Sequence, residues 1–164
     1  MDYNSRIKIL KKMKILSGAK CLNIGRSCNL VWLQFQINES IFCLNIECAF
    51  RFIKERTILC STQEIYVPKK IFLDDPDFNY ETFNWDKQGE NYFDDWVNSD
   101  GTVLKNTIVQ KVKLSFLGDM RIKFKNGIKL ELFNNSLSEC WRFFERKKRN
   151  HLVVNGNYID HNDF

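Results

Sequence analysis

The sequence has few of the residues from which common catalytic and metal sites are built. It contains only two histidines and seven glycines among its 164 residues. None of its six cysteines forms a C-x-x-C pair, which leaves a zinc site without its usual ligand pattern. A G-x-x-x-x-G-K phosphate loop and a G-x-S-x-G nucleophile motif are both missing. We therefore predict no catalytic residue, no metal site and no cofactor.

Long apolar runs are missing as well, so the sequence predicts no contact with a membrane. No stretch is long enough to cross a bilayer. Near the N-terminus, where a secretion signal would lie, lysines interrupt the apolar residues at Lys8, Lys11, Lys12 and Lys14. We therefore expect a cytoplasmic protein whose cysteines are reduced, buried thiols. A disulfide framework is the alternative for the same cysteines.

The sequence is rich in the short alternations of apolar and polar residues that are typical of β-strands. Apolar residues recur at every second position in residues 31–37, and the alternation returns between residues 108 and 132. Asn126-Gly127 predicts a hairpin with a type I′ turn, and a helical pattern covers residues 5–17. These patterns predict a mainly β (α+β) fold, a single domain over residues 1–164 with antiparallel sheets and an N-terminal helix.

Two parts of the chain resemble each other. The segment Glu47–Ile53 contains a cysteine, an arginine and a phenylalanine that return in Glu139–Phe144. We predict an internal repeat of residues 20–66 and residues 108–159, which forms two related antiparallel meanders. Each meander alone would leave an apolar face exposed, so we expect the two to pack together.

The insert between the repeats, residues 67–107, differs from the rest of the chain in charge and composition. From Phe72 to Asp100 it has nine acidic residues and one lysine, a net charge of −8, so the remainder must carry +13 to give the overall +5. The insert also holds eight aromatic residues. Full exposure of all eight would cost too much free energy, so we expect some to dock on the sheets. A short helix is predicted at Glu90–Val97.

Acidic and aromatic residues together make the insert the best candidate for a binding surface. Aromatic anchors surrounded by carboxylates suit a protein partner with a basic face. The residues that we expect to contact this partner are Asp74, Asp75, Asp77, Trp85, Asp86, Asp94, Asp95 and Trp96. The first three lack the spacing of a calcium loop, which argues against a bound metal ion. The insert would repel a polyanion, which argues against nucleic acid as the partner.

Two other functions would use different parts of the chain. A small-ligand-binding protein or an enzyme would have a pocket between the two repeats, lined by Trp32, Arg51, Trp141 and Arg142. A self-associating protein would form a homodimer through an exposed edge strand. The sequence leaves both alternatives open.

Three segments carry a resemblance to other proteins. They are Gly25-Arg26-x-Cys28-Asn29-Leu30, Asn84-Trp85-Asp86-x-Gln88-Gly89-x-Asn91, and Trp141-Arg142-Phe143-Phe144 followed by His151-Leu152-Val153-Val154-x-Gly156. Through them, and through most of its length, the chain resembles a group of small uncharacterised bacterial β-rich proteins. The resemblance implies no activity and carries over no functional residue. By analogy with β-rich proteins of similar size that carry acidic patches, it suggests an immunity protein that neutralises a secreted toxin.

Overall fold

The computed structural model describes residues 3–156 and the backbone of residues 159–162. Within these residues the chain begins with α1 (Tyr3–Met13) and a 3-10 turn at Lys14–Leu16. Eleven strands follow: β1 (Lys20–Ser27), β2 (Leu30–Ile37), β3 (Ser40–Ile46), β4 (Ala49–Lys54), β5 (Thr57–Ser61), β6 (Val109–Leu114), β7 (Met120–Phe124), β8 (Ile128–Phe133), β9 (Glu139–Glu145), β10 (His151–Asn155) and β11 (Ile159–Asn162). Between β5 and β6 lie α2 (Lys70–Leu73), α3 (Tyr92–Asn98) and 3-10 segments at Thr62–Tyr66, Tyr80–Thr82 and Asp100–Leu104.

The strands form two antiparallel sheets that pack face to face. The first sheet has six strands in the order β1-β2-β3-β9-β10-β11, and the second has five in the order β5-β4-β8-β7-β6. The predicted mainly β fold, with two packed antiparallel sheets and an N-terminal helix, is confirmed. None of the described helices is long and apolar enough to span a membrane.

Each half of the chain contributes strands to both sheets. The first half supplies β1, β2 and β3 to the first sheet, and β4 and β5 to the second. The second half supplies β6, β7 and β8 to the second sheet, and β9, β10 and β11 to the first. This differs from the expected pair of separate meanders, because the chain changes sheet after the third strand of each half. The order of the first five strands of each half is the one that a duplicated chain would have, and the duplication itself stays a prediction.

The repeated cysteine motif lies where the chain changes sheet. Between β3 and β4, the N–H groups of Glu47 and Cys48 both donate to the carbonyl oxygen of Cys140 in β9, at 2.9 and 3.0 Å. Backbone groups at such a change of direction lose their partners in the strand ladder, and these bonds satisfy them. The two copies of the motif therefore meet at one junction between the sheets.

The core lies between the sheets and is almost entirely apolar. Its completely buried side chains include Phe35, Leu44, Trp141 and Phe143 from the first sheet and Phe52, Ile122, Phe124 and Leu130 from the second. The helix α1 packs on this core with Ile9 and Met13, which share one helical face, and the 3-10 turn adds Leu16; all three are completely buried. Arg6 donates to the carbonyl oxygen of Leu114 at 2.9 Å, which holds α1 beside β6.

The insert covers the side of the sandwich near β1 and β5. In α3, the ring centroid of Phe93 lies 5.9 Å from that of Phe50, and the ring centroid of Trp96 lies 4.9 Å from that of Phe52. Both partners are core residues of β4. Some aromatic residues of the insert thus dock on a sheet, as the sequence predicts. Their contacts fix the position of α3 on the second sheet.

Candidate functional site

A buried ion pair fastens the insert to the first sheet. Arg26, near the end of β1, donates from Nε and Nη2 to the two carboxylate oxygens of Asp94 in α3, at 2.9 and 2.7 Å. Its guanidinium also donates to the carbonyl oxygens of Cys28 and Lys87, at 3.1 and 3.2 Å. Arg26 and Asp94 are both buried. Because the guanidinium has both a counter-charge and hydrogen-bond acceptors, this arrangement offsets the cost of removing two charges from water.

Side chains of the insert itself fix the beginning of α3. The Oδ1 atom of Asn91 accepts from the N–H of Asp94 at 2.9 Å, which is the usual role of an N-cap residue. The amide nitrogen of Asn91 donates to the carbonyl oxygen of Trp85 at 3.0 Å. Asp94 also accepts from the N–H of Gly89 at 2.7 Å. Residues 85–94 are therefore held together as one anchor.

Two of the eight residues predicted to contact a partner are buried side chains of α3. Asp94 is 9% exposed and Trp96 is 4% exposed, so neither side chain is presented at the surface, and their prediction as partner contacts is corrected. The sequence contained a signal for Trp96, because Phe93, Trp96 and Val97 share one helical face. It contained no signal for Asp94, because its partner Arg26 lies 68 positions away.

Residues 70–86, here called the acidic lobe, have an aromatic cluster of their own. The ring of Phe78 stacks on Phe72 at 5.5 Å between centroids, and it meets Tyr80 and Phe83 edge-on at 5.1 and 6.3 Å. None of these four rings belongs to the described core cluster. Trp85 is the aromatic residue of the lobe that packs against the core. These four rings of the lobe therefore pack mainly on one another.

The acidic lobe leaves apolar and acidic side chains exposed side by side. Ile71 is 68% exposed and Tyr80 is 64% exposed. The five acidic residues of the lobe are Asp74, Asp75, Asp77, Glu81 and Asp86, and all are exposed. Lys70 is the one basic residue among them. Asp95, on α3, is exposed as well. Five of the predicted contact residues are therefore accessible carboxylates, and Trp85 is half-buried against the core.

The structure does not bring together the four residues of the predicted pocket. Trp32 and Arg142 lie in one row on the outer face of the first sheet, with Asn45 between them. Trp141 points in the opposite direction and is completely buried. Arg51 lies on the outer face of the second sheet. The predicted pocket between the repeats is therefore wrong, because apolar side chains fill the space between the sheets.

The outward-facing residues of that set have structural partners. Trp32 lies directly over Gly25, where an added Cβ atom would lie 2.4 Å from the Cζ2 atom of the indole. Arg142 donates to both carboxylate oxygens of Glu139, at 2.8 and 2.6 Å, and approaches Nδ1 of His151 at 3.2 Å. Hydrogen bonding to Glu139 raises the pKa of Arg142. The contacts of Trp32 with Gly25 and of Arg142 with His151 connect neighbouring strands, whereas the ion pair of Arg142 with Glu139 lies within β9. These contacts give no sign of a ligand site.

The cysteines lack the properties of catalytic nucleophiles. Burial raises the pKa of Cys48 to about 12 and also raises the pKa of Cys140. The exposed Cys28 has a pKa that is raised chiefly by its hydrogen bond to Asp86. A raised pKa keeps these thiols protonated at neutral pH, whereas a catalytic cysteine needs the thiolate. The described side chains also contain no group of three His, Cys, Asp or Glu residues that could hold a metal ion.

No family model matches the chain, and no curated protein or solved structure matches it either. The candidate site is therefore defined by the geometry of this chain alone. Its best-defined part is the acidic lobe on its buried anchor.

Proposed function

We propose that this chain is a non-catalytic protein-binding module that uses the acidic lobe to bind a protein with a basic surface. One observation carries the proposal: the aromatic rings of the lobe pack on one another and remain partly exposed among carboxylates. Exposed apolar area costs free energy in the unbound protein. An apolar patch rimmed by charged residues is typical of an interaction surface.

The apolar and acidic parts of the lobe would contribute differently to binding. Tyr80 and Ile71 offer apolar area that a partner would remove from water, and aromatic residues often dominate the binding energy of an interface. The carboxylates of Asp74, Asp75 and Asp77 would attract a basic partner before contact and so raise the association rate constant. The buried anchor keeps the base of the lobe fixed, which reduces the entropy lost on binding.

Within this class, the partner that we propose is a secreted toxin with a basic surface, such as a nuclease. A nuclease carries basic residues where it contacts phosphates, and the acidic lobe has the complementary charge. The chain would then be the immunity protein of this toxin and would act in the cytoplasm. An inhibitor that acts only by binding needs no catalytic group. The protonated, unreactive cysteines of this chain are therefore compatible with this role.

Capture from an extract of the native cell, with three forms of the protein, tests the binding site. The lobe variant carries Asp74→Asn, Asp75→Asn and Asp77→Asn. Asparagine keeps a side-chain oxygen at position 75, which accepts from the N–H of residue 77 at 3.0 Å, so the local turn is preserved. The acid control variant loses the same charge at exposed residues outside the insert, through Glu39→Gln, Glu47→Gln and Glu55→Gln.

We expect a protein that is retained by the wild type and by the acid control variant but not by the lobe variant. After purification of that protein, the Kd of the lobe variant should be at least about tenfold higher than that of the control. Equal binding by both variants would contradict the lobe as the site. A partner that binds through the lobe but has no toxicity would leave the binding module correct and the immunity role wrong.

A further inference from the structure

The outer face of the second sheet has a concentration of positive charge that the proposed function does not use. In β6, β7 and β8, two adjacent rows of outward-facing side chains are all basic except for one glutamate. The first row consists of Lys111, Lys123 and Lys129, and the second of Lys113, Arg121 and Glu131, continued by Arg51 of β4. The first row is called the three-lysine row below.

The two rows differ in how their charge is compensated. Glu131 is buried and pairs with both Arg51 and Arg121, the former at 2.7 Å. The members of the three-lysine row form no ion pair with any residue that the structure describes. Lys123 lies directly opposite a lysine on each neighbouring strand. Like charges that face each other across strands destabilise a sheet, so this row lowers the stability of the free protein.

The fold places α3, the anchored helix of the acidic insert, on the β5 side of the second sheet, whereas β6 forms the opposite edge. The last residues of the insert reach the β7–β8 turn, where Asn126 donates to the carbonyl oxygen of Val103 at 2.9 Å. The three lysines also point away from the core on which α3 rests. The repulsion of a polyanion that the sequence suggests is therefore weaker at this face than at the acidic lobe. A local arrangement that costs stability without compensation is expected where a protein has a functional site.

We propose that the three-lysine row binds the phosphate backbone of a nucleic-acid duplex without regard to sequence. This inference goes beyond the proposed function and does not rest on it. Lysine ammonium groups act as point charges that contact phosphates, and such contacts carry no sequence information. Neither row contains an aromatic side chain on which an unpaired base could stack, which favours a duplex over a single strand.

Fluorescence anisotropy of a labelled DNA duplex of arbitrary sequence tests the proposal over a range of salt concentrations. The row variant carries Lys111→Gln, Lys123→Gln and Lys129→Gln. The turn control variant loses the same charge in the basic turn between β9 and β10, through Lys147→Gln, Lys148→Gln and Arg149→Gln. Each phosphate contact contributes about −0.9 to the slope of log K against log salt, so the row variant should have a slope that is shallower by about 3.

We expect the turn control variant and the lobe variant to bind the duplex as the wild type does. Wild-type protein that fails to bind at low salt, or a turn control variant that loses as much affinity as the row variant, would overturn the proposal. Polyglutamate of equal charge that competes as well as unlabelled duplex would overturn it in favour of an acidic protein partner. An RNA duplex of equal length should bind within about tenfold of DNA, because the contacts go to phosphates. A larger preference for either duplex would overturn binding by phosphate contacts alone.

A stability measurement separates loss of the site from loss of the fold. Removal of three opposed positive charges should raise the Tm of the row variant by about 2 °C or more at low salt, because the repulsion in the free protein disappears. Weaker duplex binding together with a higher Tm is the expected result. A lower Tm would overturn the premise that the row costs stability.

Discussion

Asp94 and Asp95 are adjacent in the sequence and carry the same side chain, but their surroundings are opposite. Asp94 is buried against Arg26, whereas Asp95 is exposed on the other side of α3. The sequence does not distinguish them, because the residue that draws Asp94 inward belongs to β1. At the scale of single residues, the distant Arg26 therefore determines that Asp94 stabilises the insert, while Asp95 stays accessible to a partner.

The variant Asp94→Asn should lower the free energy of unfolding by about 3 kcal/mol, because Arg26 would lose its buried counter-charge and keep only the half-exposed carboxylate of Asp86, 3.7 Å away. The matched variant Asp95→Asn should change it by no more than about 0.5 kcal/mol. Urea unfolding followed by tryptophan fluorescence measures both values. Equal and small effects of the two substitutions would show that the ion pair does not hold the insert.

Cys28 is exposed, while the other five cysteines are buried. A thiol reagent should therefore modify one cysteine in the folded protein and all six in urea. Because its hydrogen bond to Asp86 raises the pKa of Cys28, this thiol should react more slowly at about pH 8 than a free cysteine. Asp86→Asn should lower that pKa and speed the reaction, and Cys28→Ser should abolish it. Rapid modification of several thiols in the folded protein would contradict the burial of the other five.

At the scale of helices and strands, local sequence patterns correctly predict the elements that depend on residues close together in the sequence. The helix predicted at residues 5–17 is present as α1 and its 3-10 extension, and the one predicted at Glu90–Val97 is present at Tyr92–Asn98. The hairpin at Asn126-Gly127 is present too, but its predicted turn type is wrong. A type I′ turn needs positive φ at both residues, and only Gly127 has it, at +87°.

The contact between Trp32 of β2 and Gly25 of β1 is a cross-strand pair, which the alternation of apolar and polar residues within one strand does not predict. Gly25→Ala should lower the free energy of unfolding by about 2 kcal/mol, because the new methyl group would overlap the indole ring. In a Trp32→Leu background the same substitution should cost less, since the ring that it meets is gone. A double-mutant cycle from urea unfolding measures this coupling. Strictly additive effects would contradict the proposed contact.

At the scale of the whole molecule, the sequence predicts the fold class but not the exchange of strands between the sheets. Alternation shows which residues face inward, and β2 of the first half alternates in a similar way to β6 and β7 of the second. The choice of neighbour for β4 and β9 depends on contacts between distant parts of the chain. For the same reason, the lysines of β6, β7 and β8 are visible in the sequence, but only the register places three of them in one row. The predicted homodimer stays a prediction.

The exchange of strands implies that neither half can form its sheets alone. A fragment of residues 1–104 should lack a stable fold, because β4 would lose its partner β8, and a fragment of residues 105–164 should lack one because β9 would lose β3. Mixed in equal amounts, the two fragments should recover the β-sheet circular dichroism of the intact chain. Either fragment folding by itself would contradict the shared core.

The claim that the acidic lobe is the partner-binding surface is tested most directly by association kinetics with the purified partner. The association rate constant is measured for the wild type, the lobe variant and the acid control variant between about 50 and 200 mM salt. We predict that the lobe variant associates more slowly at low salt and depends less on salt, while the acid control variant behaves as the wild type does. A lobe variant with the rate constant and the salt dependence of the wild type would contradict the claim.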